Sequence, residues 1–232
     1  MPLMSNVRSQ AMECHHFGER GFEVVPAALS ADECLEVASL VEQSRASVES
    51  RSLLTLAWGS RIAHRLMDGP VARLLPPKHV AVQCTYFEKS ADHNWLVPIH
   101  QDLSIPVAQR VEHVTLRGWS EKGGMLFVQP PLAVLEQLVA VRLHLDPCSL
   151  EDGPLKVVSG SHRQGRIDPT VAASMRRKGE VRCTASPGDA LVMRPLLLHA
   201  SSKSTGQTRR RVLHFVFGPR ALPLGLRWQH AI

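Results

Sequence analysis

Runs of alternating hydrophobic and polar residues recur through the second half of the chain. The clearest is LVAVRLHLD at residues 138–146, where valine and leucine alternate with Arg142, His144 and Asp146. Because successive strand side chains point to opposite faces, this run predicts a β-strand with one hydrophobic and one polar face. Further strands are predicted for VAVQCTYFE at 80–88, SPGDALVM at 186–193, RRVLHFVF at 210–217, and the residues after the Asp-Gly turn in EDGPLKVVSGSH.

Helical signals come mainly earlier in the chain. GFEVVP at 21–26 predicts a short strand, and the Ser-x-x-Glu capping box at 30–33 predicts a helix through CLEVASLVEQS. A second helix is expected from about Ser60 to Leu75, because Pro76 disfavours helical backbone at the residue before it. Later in the chain, the Asp-Pro pair at 168–169 predicts the start of a short helix.

Helices followed by many short strands predict an α+β protein that is mainly β. At 232 residues the chain is expected to form one domain over residues 1–232. Residues 1–17 are expected to be a loosely ordered leader, and residues 80–220 are expected to form the β core. A hydrophobic content of 44% with 21% charged residues is ordinary for a globular protein with a packed interior.

The composition disfavours several classes of protein. No stretch approaches the roughly 18 consecutive apolar residues of a membrane helix, and the start of the chain lacks the apolar segment of a signal peptide. The five cysteines are scattered and form no Cys-x-x-Cys pair, so neither a disulfide framework nor a cysteine zinc site is indicated. We therefore expect a cytoplasmic protein without a membrane partner.

The net charge of +6 has two interpretations. A basic protein can bind nucleic acid, or its surface can favour anionic small molecules. The chain has only one tyrosine and no recognisable DNA-binding or RNA-binding motif. A small-molecule partner is therefore expected and nucleic acid is not, while the sequence carries no signal for an oligomeric state.

Two histidines and an aspartate are candidate metal ligands. Residues i and i+2 of a strand point the same way, so His100 and Asp102 would face one ion while Gln101 is turned away. His199 is expected near the end of the strand that starts after the Gly-Asp pair at 188–189, and it would supply the third ligand from a neighbouring strand. Two histidines and a carboxylate form the facial triad of non-haem Fe(II) oxygenases. His-x-Asp alone is weak evidence, because a chain with 12 histidines contains such pairs by chance.

Arg210 lies in a basic triplet shortly after His199. Its guanidinium is a fork-shaped donor suited to a carboxylate cosubstrate. Alternation puts it on the opposite face from Arg209 and Arg211, but parity alone does not decide which face is inside. A second interpretation of the triplet is a solvated strand edge, where positive charges discourage edge pairing.

Four stretches occur in an order typical of one enzyme family, over roughly residues 20 to 220. They are HQD at 100–102, EDGPLKVVSGSHRQG at 151–165, PGDALVM at 187–193 and HASSKSTGQTRRR at 199–211. On these motifs the chain resembles the phytanoyl-CoA dioxygenase family of Fe(II)/2-oxoglutarate oxygenases. It departs from the family's usual pattern at Ile99, where an aromatic residue is common, and at Ser159, where proline is usual.

The resemblance implies a double-stranded β-helix, a jelly roll of cupin-like form, with N-terminal helices packed on its major sheet. It maps His100, Asp102 and His199 onto the iron ligands. The implied cofactors are Fe(II), 2-oxoglutarate and O2, with ascorbate as an aid in vitro.

The same resemblance assigns three further residues to the cosubstrate. Arg210 falls at the position that pairs with the distal carboxylate of 2-oxoglutarate, and Ser201 adds a hydroxyl. Gln83 falls where family members contact the cosubstrate or the substrate.

Three other residues are candidates for substrate contact. Arg142 and His144 lie on the polar face of their strand, which looks either into the barrel or at water. If that face is inside, Arg142 could hold an acidic substrate group or assist cosubstrate binding. Trp95 precedes the metal strand and would line the entrance, although a packing role explains it equally well. His214 shares the face of Arg210 and is more simply interpreted as a core histidine.

The residues and the resemblance together predict a dioxygenase that hydroxylates a small organic substrate and releases succinate and CO2. The basic charge favours an anionic or carrier-linked substrate. Related halogenases replace the aspartate with a small residue, so Asp102 argues against halogenation, while desaturation, epoxidation and cyclisation stay open. The alternatives are a non-catalytic ligand-binding or sensing jelly roll, a zinc-dependent cupin-like hydrolase or isomerase, and a nucleic-acid demethylase suggested only by charge.

Overall fold

The computed structural model describes residues 16–44, residue 46 and residues 50–232. The expected leader therefore lies outside the described residues except for its last two, which belong to a helical turn at 16–20. After this turn, the α-helices of the described part are α1 (Ala31–Gln43), α2 (Ala57–Asp68), α3 (Leu132–Leu135) and α4 (Pro169–Lys178). Its strands are β1 (Phe22–Val25), β2 (His79–Lys89), β3 (Val97–His100), β4 (Ile105–Val107), β5 (Arg117–Lys122), β6 (Met125–Gln129), β7 (Val139–His144), β8 (Leu155–Val157), β9 (Val181–Cys183), β10 (Ala190–Met193), β11 (His199–Ser201) and β12 (Arg210–Pro219).

The major sheet has five strands in the order β1-β10-β7-β12-β2, and every neighbouring pair is antiparallel. Strand β7 is central, and all of its residues are buried. Val141 and Leu143 pack with the helices on the outer face. Arg142 and His144 point to the other face and are buried as well. The polar face of this strand therefore looks into the protein and not at water.

The minor sheet has four strands in the order β3-β11-β8-β9. One hydrophobic cluster contains side chains of both sheets, among them Ala140 and Leu191 from the major sheet and Leu155 and Val157 from the minor one. The two sheets therefore pack face to face and share one core. Antiparallel sheets packed in this way, with helices on one side, confirm the predicted α+β, mainly β jelly roll.

Helices α1 and α2 cover the outer face of the major sheet. Val37 and Val41 of α1 and Ile62 and Leu66 of α2 belong to the same core cluster as the outward-facing residues of β7 and β12. The predicted capping box starts α1, with the Ser30 hydroxyl accepting from the backbone N–H of residue 33 at 3.2 Å and the carboxylate of that residue accepting in return at 2.7 Å. Among the described residues, no helix combines the length and apolar character needed to cross a bilayer.

The second predicted helix was placed too late and drawn too long. It begins at Ala57 and ends at Asp68, and the chain then continues through Gly69 and Pro70 into a short 3₁₀ turn at Ala72–Leu74. Pro70 disfavours helical backbone at Gly69, and glycine itself is a poor helix former. The expectation rested on the prolines at 76 and 77 and overlooked this earlier break.

A third sheet, in the order β4-β6-β5, was not predicted. Strands β5 and β6 form a hairpin whose loop is Gly123-Gly124, with φ angles of +56° and +73°. Two positive φ angles in a two-residue loop are typical of the turn that joins twisted antiparallel strands. This sheet contributes Phe127 and Gln129 to the wall of the cavity described next.

Candidate metal centre and its cavity

The three candidate ligands meet at the inner end of the minor sheet. Strands β3 and β11 are antiparallel neighbours, and His199 pairs directly with His100. The Nε2 atom of His100 lies 3.7 Å from Oδ1 of Asp102, and the Nε2 atom of His199 lies 3.8 Å from its Oδ2. All three ligand atoms fall within 4.8 Å of one another, so this set could hold one metal ion.

Backbone carbonyls orient both imidazole rings. The Nδ1 atom of His100 lies 2.8 Å from the Pro98 carbonyl oxygen, and the Nδ1 atom of His199 lies 2.9 Å from the Leu197 carbonyl oxygen. A carbonyl oxygen only accepts, so each Nδ1 carries the proton and each Nε2 presents its lone pair. This hydrogen bond on the far nitrogen is the usual support of a metal-binding histidine.

Charge and burial favour the protonation states that a divalent metal requires. Burial lowers the pKa of His199 to about 4, even though Asp102 opposes that shift, so the imidazole is neutral near pH 7. Burial alone would raise the pKa of Asp102, but the neighbouring histidines and Arg142 hold it below its ordinary value. A neutral imidazole beside an ionised carboxylate is the state that binds a metal without first losing a proton.

Gln101 fixes the loop that carries Asp102. Its side chain is buried and lies at the wall of the cavity that contains the candidate ligands. Its amide group donates to the carbonyl oxygens of Leu196 at 2.6 Å and Gly165 at 2.7 Å, and its carbonyl accepts from the Ile167 backbone at 2.8 Å. Gln101 therefore ties the His-x-Asp segment to the turn before β11 and to the loop after β8.

His214 and Arg142 form a second layer behind Asp102. A guanidinium only donates, so Nη1 of Arg142, 3.3 Å from Nδ1 of His214, requires that nitrogen to accept. The Nε2–H of His214 then faces Oδ2 of Asp102 at 4.0 Å. Burial, followed by the charge of Arg142, lowers the pKa of His214 to about 3, so this ring is neutral at physiological pH.

The metal ligands line a cavity of about 430 Å³ between the sheets. Among the described residues that line it, Asp102 is the single acid, whereas the cations are Arg51, Lys89, Lys122, Arg142 and Arg210. Arg210 and Arg142 are 4% and 8% exposed, and the Nε atom of each is buried without a hydrogen-bond partner among the described residues. Asp102 and Asp152 act on these guanidiniums only from a distance, and none of the ion pairs within the described residues includes either arginine. Buried cations with so little compensation favour an anion in the cavity.

One end of the cavity concentrates this positive charge. Arg210 starts β12, and in the β12–β2 pairing it lies opposite Lys89. Nη1 of Arg210 donates to the Gly153 carbonyl oxygen at 2.7 Å. The Lys89 ammonium donates to the hydroxyl of Ser201 at 3.0 Å, which β11 carries on the same face as His199. This cationic end and the candidate metal ligands thus share one cavity.

The other two arginines of the triplet face the opposite way. The guanidinium of Arg211 makes two hydrogen bonds to Asp146, at 2.7 and 2.8 Å, and that of Arg209 makes two to Glu88, at 2.9 and 3.0 Å. Both also bond to Glu42 of α1. Arg210 therefore lies in the cavity, while Arg209 and Arg211 link α1 to the sheet. The interpretation of the triplet as a solvated strand edge does not apply, because β12 lies between two other strands.

Sequence comparison assigns the chain to a family. The model of the phytanoyl-CoA dioxygenase family matches residues 17–212, which is most of the chain. The chain belongs to this family. No curated protein sequence matches it.

Solved structures with the same fold support this family member's architecture. The epimerase SnoN in complex with Fe³⁺, α-ketoglutarate and a nogalamycin compound superposes with a TM-score of 0.71 at 14% identity, covering 94% of this chain and 88% of SnoN. EctD from S. alaskensis, without ligands, gives 0.68 at 19% identity over 95% and 83%. HygX from Streptomyces hygroscopicus, with nickel and 2-oxoglutarate bound, gives 0.62 at 19% identity over 91% and 87%. At such identities the likeness concerns the fold.

The family member departs from two details expected for the metal strands. Strand β3 ends at His100, so Asp102 lies in the following loop, where its backbone N–H donates to the Pro195 carbonyl oxygen at 2.9 Å. His199 does not end the strand that follows Gly188-Asp189. That strand, β10, stops at Met193, and a turn carries the chain to the minor sheet, where His199 begins β11. The turn is needed because the jelly roll passes from one sheet to the other here.

Of the remaining predicted site residues, three line the cavity and one does not. Gln83 lines the cavity and is buried, with its amide donating to the Thr85 hydroxyl at 2.8 Å, and Trp95 lines the cavity at partial exposure. Arg142 also lines it, but His144 does not, although it is buried. The Nδ1 atom of His144 has no hydrogen-bond partner among the described residues, and burial, followed by the charges of Arg142 and Arg210, lowers the pKa of His144 to about 3.

Three residues at the site were overlooked or undervalued from the sequence. Lys89 was not considered, although it falls on the same face of its strand as Gln83, six residues earlier. His214 was interpreted as a core histidine, yet it lines the cavity. Gln101 was expected only to turn away, whereas it holds the loop of Asp102 in place. His214 lies on the same strand face as Arg210, and this could have placed it in the cavity. No sequence pattern predicts the hydrogen bonds of Gln101.

Proposed function

We propose that this phytanoyl-CoA dioxygenase family member is an Fe(II)/2-oxoglutarate-dependent dioxygenase that hydroxylates a small organic substrate. The observation that supports the proposal is one cavity that combines a facial triad with a buried cationic end. His100, Asp102 and His199 would hold the iron. Arg210 and Ser201 would hold the distal carboxylate of 2-oxoglutarate.

When bound, Fe(II) and 2-oxoglutarate supply the oxidation: with O2 and a C–H bond they give succinate, CO2 and an alcohol. The protein's own residues position the iron and the cosubstrate and provide the charges that bind them. The carbonyls of Pro98 and Leu197 keep the Nε2 lone pairs of the histidines directed inward. The hydrogen bonds of Gln101 hold Asp102 at the third position, and the cationic end sets the direction of the cosubstrate.

Asp102 bears on the type of reaction. Related halogenases have a small residue in place of this carboxylate, so its presence supports hydroxylation over halogenation. The similar structures include a carbocyclase and an epimerase. Product analysis therefore has to distinguish hydroxylation from ring formation and from inversion of a stereocentre.

The charge of the cavity supports an anionic substrate. Arg51 and Lys122 line its outer part, and each places its charge over the ring of Phe127, at 5.9 and 5.4 Å from the ring centroid. Trp95 adds an aromatic wall to the same cavity. A substrate with a carboxylate or phosphate group would meet opposite charge there and an aromatic surface beside it.

The experiment is an anaerobic addition of Fe(II) and 2-oxoglutarate to metal-free protein, followed through the weak visible charge-transfer band of the chelate. The wild type should develop the band. His199→Ala should abolish it by removing a ligand, and Arg210→Ala should shift its appearance to higher 2-oxoglutarate concentration. Arg209→Ala is the matched control, because its guanidinium faces Glu88 and Glu42 outside the cavity.

A folded wild type that binds iron but shows no band with 2-oxoglutarate would contradict the proposal. If the band forms, substrates with anionic groups are screened by succinate release. A hydroxylated product formed in a ratio of about one to one with succinate would complete the assignment.

We also infer a single domain over residues 1–232 that acts in the reducing cytoplasm. The two sheets and the covering helices share continuous cores. The four cysteines within the described residues, Cys34, Cys84, Cys148 and Cys183, are buried free thiols. Free thiols are typical of proteins from a reducing compartment.

A further inference from the structure

Lys89 is a buried lysine to which the proposed function assigns no role. It ends β2, is 1% exposed and lines the cavity. Its ammonium donates to the Ser201 hydroxyl at 3.0 Å and to the Ser202 carbonyl oxygen, and it lies 5.7 Å from the ring centroid of Trp95. Lysine is almost never this deeply buried unless it is paired.

The contacts of Lys89 leave its charge uncompensated. Both hydrogen-bond acceptors are neutral, and within the described part of the chain no carboxylate pairs with it. Its charged neighbours in the cavity are Arg210 and Arg142, which repel it. If Lys89 served only to join β2 to β11, it would not need Arg210 and Arg142 beside it. An anion between these cations would offset their mutual repulsion.

Lys89 and Arg210 point into the same part of the cavity. They are direct partners in the β12–β2 ladder, so their side chains leave the sheet side by side on its inner face. Ser201 approaches from the minor sheet, where β11 also carries His199. An anion that touches Arg210 and Ser201 therefore also comes within reach of the third N–H of the Lys89 ammonium.

We propose that Lys89 is a second cation for the distal carboxylate of 2-oxoglutarate, acting together with Arg210. This inference rests on the proposed function. The guanidinium and the ammonium bind the carboxylate from two neighbouring strands, while the Ser201 hydroxyl bridges the ammonium and the anion. Two buried cations on one carboxylate make the site selective for a cosubstrate with two acidic groups over one with a single acidic group.

The test compares two ligands that share the chelating end. 2-Oxoglutarate carries the distal carboxylate, and 2-oxopentanoate has a methyl group in its place on a chain of the same length. Dissociation constants for both are measured anaerobically with Fe(II)-loaded protein through the charge-transfer band. The variants are Lys89→Met, Lys89→Arg and, as a matched control, Lys203→Met, which removes an exposed lysine from the loop after Ser201.

Lys89→Met should weaken 2-oxoglutarate binding by roughly 10- to 100-fold, the range of a charge-assisted hydrogen bond. The same variant should change 2-oxopentanoate binding by less than about twofold, since that ligand lacks the group that Lys89 contacts. Lys89→Arg should keep most of the affinity, and Lys203→Met should match the wild type.

Three results would overturn the inference. Equal affinity of Lys89→Met and wild type for 2-oxoglutarate would show that the ammonium does not contact the carboxylate. An equal loss for both ligands would show a general structural role. Failure of the wild type itself to bind 2-oxoglutarate would reject the proposed function and this inference with it, which distinguishes the two cases.

The thermal unfolding of metal-free protein separates misfolding from a lost contact. Burying an unpaired charge destabilises the empty protein, so Lys89→Met should unfold at the same temperature as the wild type or higher. A large drop in the unfolding temperature would mean that Lys89 supports the fold, and the Lys89→Arg affinities would then decide the role of the charge.

Discussion

At the residue scale, hydrogen bonds support each of the three candidate metal ligands. Pro98 and Leu197 accept from Nδ1 of the two histidines, and Gln101 holds the loop of Asp102. Each of these partners is next to a ligand or two residues before it in the chain. The short His-x-Asp segment therefore contains a ligand pair together with part of its support.

The role of Gln101 can be measured through metal affinity. We expect Gln101→Leu to weaken Fe(II) or Mn(II) binding by roughly 10- to 100-fold, the usual cost of losing such a supporting contact. The reason is that the Asp102 loop loses its bonds to residues 165, 167 and 196. The measurement is a metal titration under anaerobic conditions.

Gln207→Leu is the control for that experiment, because Gln207 is exposed in the loop before β12. An unchanged dissociation constant in Gln101→Leu, with the fold intact, would show that Asp102 is positioned without this side chain.

The pH dependence of 2-oxoglutarate binding follows from Lys89. Burial, followed by the charges of Arg210 and Arg142, lowers the pKa of this ammonium to about 7, and the Cys148 thiol partly opposes the shift. An anion binds the protonated form, so affinity should be highest below pH 7 and should fall by up to about tenfold per pH unit above it. Calorimetric titrations at several pH values between about 6.5 and 8.5 test this.

Lys89→Arg provides the comparison, because arginine stays charged throughout that range. Its affinity should be nearly independent of pH. A wild type with an equally flat profile would contradict the lowered pKa of Lys89 in the empty site.

The sequence predicted the site residues that belong to a recognisable motif, and it missed those whose place depends on tertiary contacts. His100, Asp102, His199 and Arg210 were selected by the order and spacing of the family motifs, and the structure brings all four to one cavity. Lys89 was missed because a lysine at the end of a strand normally lies in solvent. Only the pairing of β2 with β12 shows that this end of the strand is inside.

At the scale of the elements, local signals succeeded where they were strong. The capping box at 30–33 and the Asp168-Pro169 start gave α1 and α4, with the Asp168 carboxylate accepting from the Thr170 backbone at 2.8 Å. The end of α2 was wrong because Gly69-Pro70 was overlooked. The hairpin of β5 and β6 was missed, although Gly123-Gly124 is a turn signal.

Gly188 shows why the Pro-Gly-Asp turn is needed before β10. Its φ is +87°, and a Cβ at this position would lie 2.1 Å from the Leu29 carbonyl oxygen. We expect Gly188→Ala to lower the free energy of unfolding by more than about 2 kcal/mol, since both strain and overlap oppose the methyl group. Chemical denaturation measures this.

Gly18→Ala is the control, because none of the described residues lies within 4 Å of the added methyl group and Gly18 is in a helical turn. It should leave stability unchanged or raise it slightly. A Gly188→Ala variant as stable as Gly18→Ala would mean that the turn can shift away from Leu29.

At the scale of the whole molecule, the order of helices and strands was enough to predict an α+β, mainly β fold, while the jelly roll followed from the family resemblance. The passage of the chain from β10 to β11, between sheets, could not be read from alternation, because a strand pattern does not show which sheet a strand joins. The third sheet, whose Phe127 lines the cavity, was missed as well, since its Gly123-Gly124 turn marks a hairpin but not the sheet's place beside the cavity.

The net charge of +6 also acts on the whole molecule. We assign part of it to the cavity, whose lining includes five cations, and therefore expect no tight binding to nucleic acid. Titration with duplex DNA and with single-stranded RNA at about 50 and 200 mM salt should give only weak binding. Tight, salt-sensitive binding would instead favour a nucleic-acid substrate.

The central claim is that the triad and the cationic end form one site for metal and 2-oxoglutarate. Calorimetric titration of 2-oxoglutarate into wild-type protein, with and without Mn(II), tests it most directly. The account predicts that the metal increases 2-oxoglutarate affinity by at least about tenfold, because one ligand bridges both ends of the cavity. Equal affinity with and without metal, or no binding in either case, would contradict it.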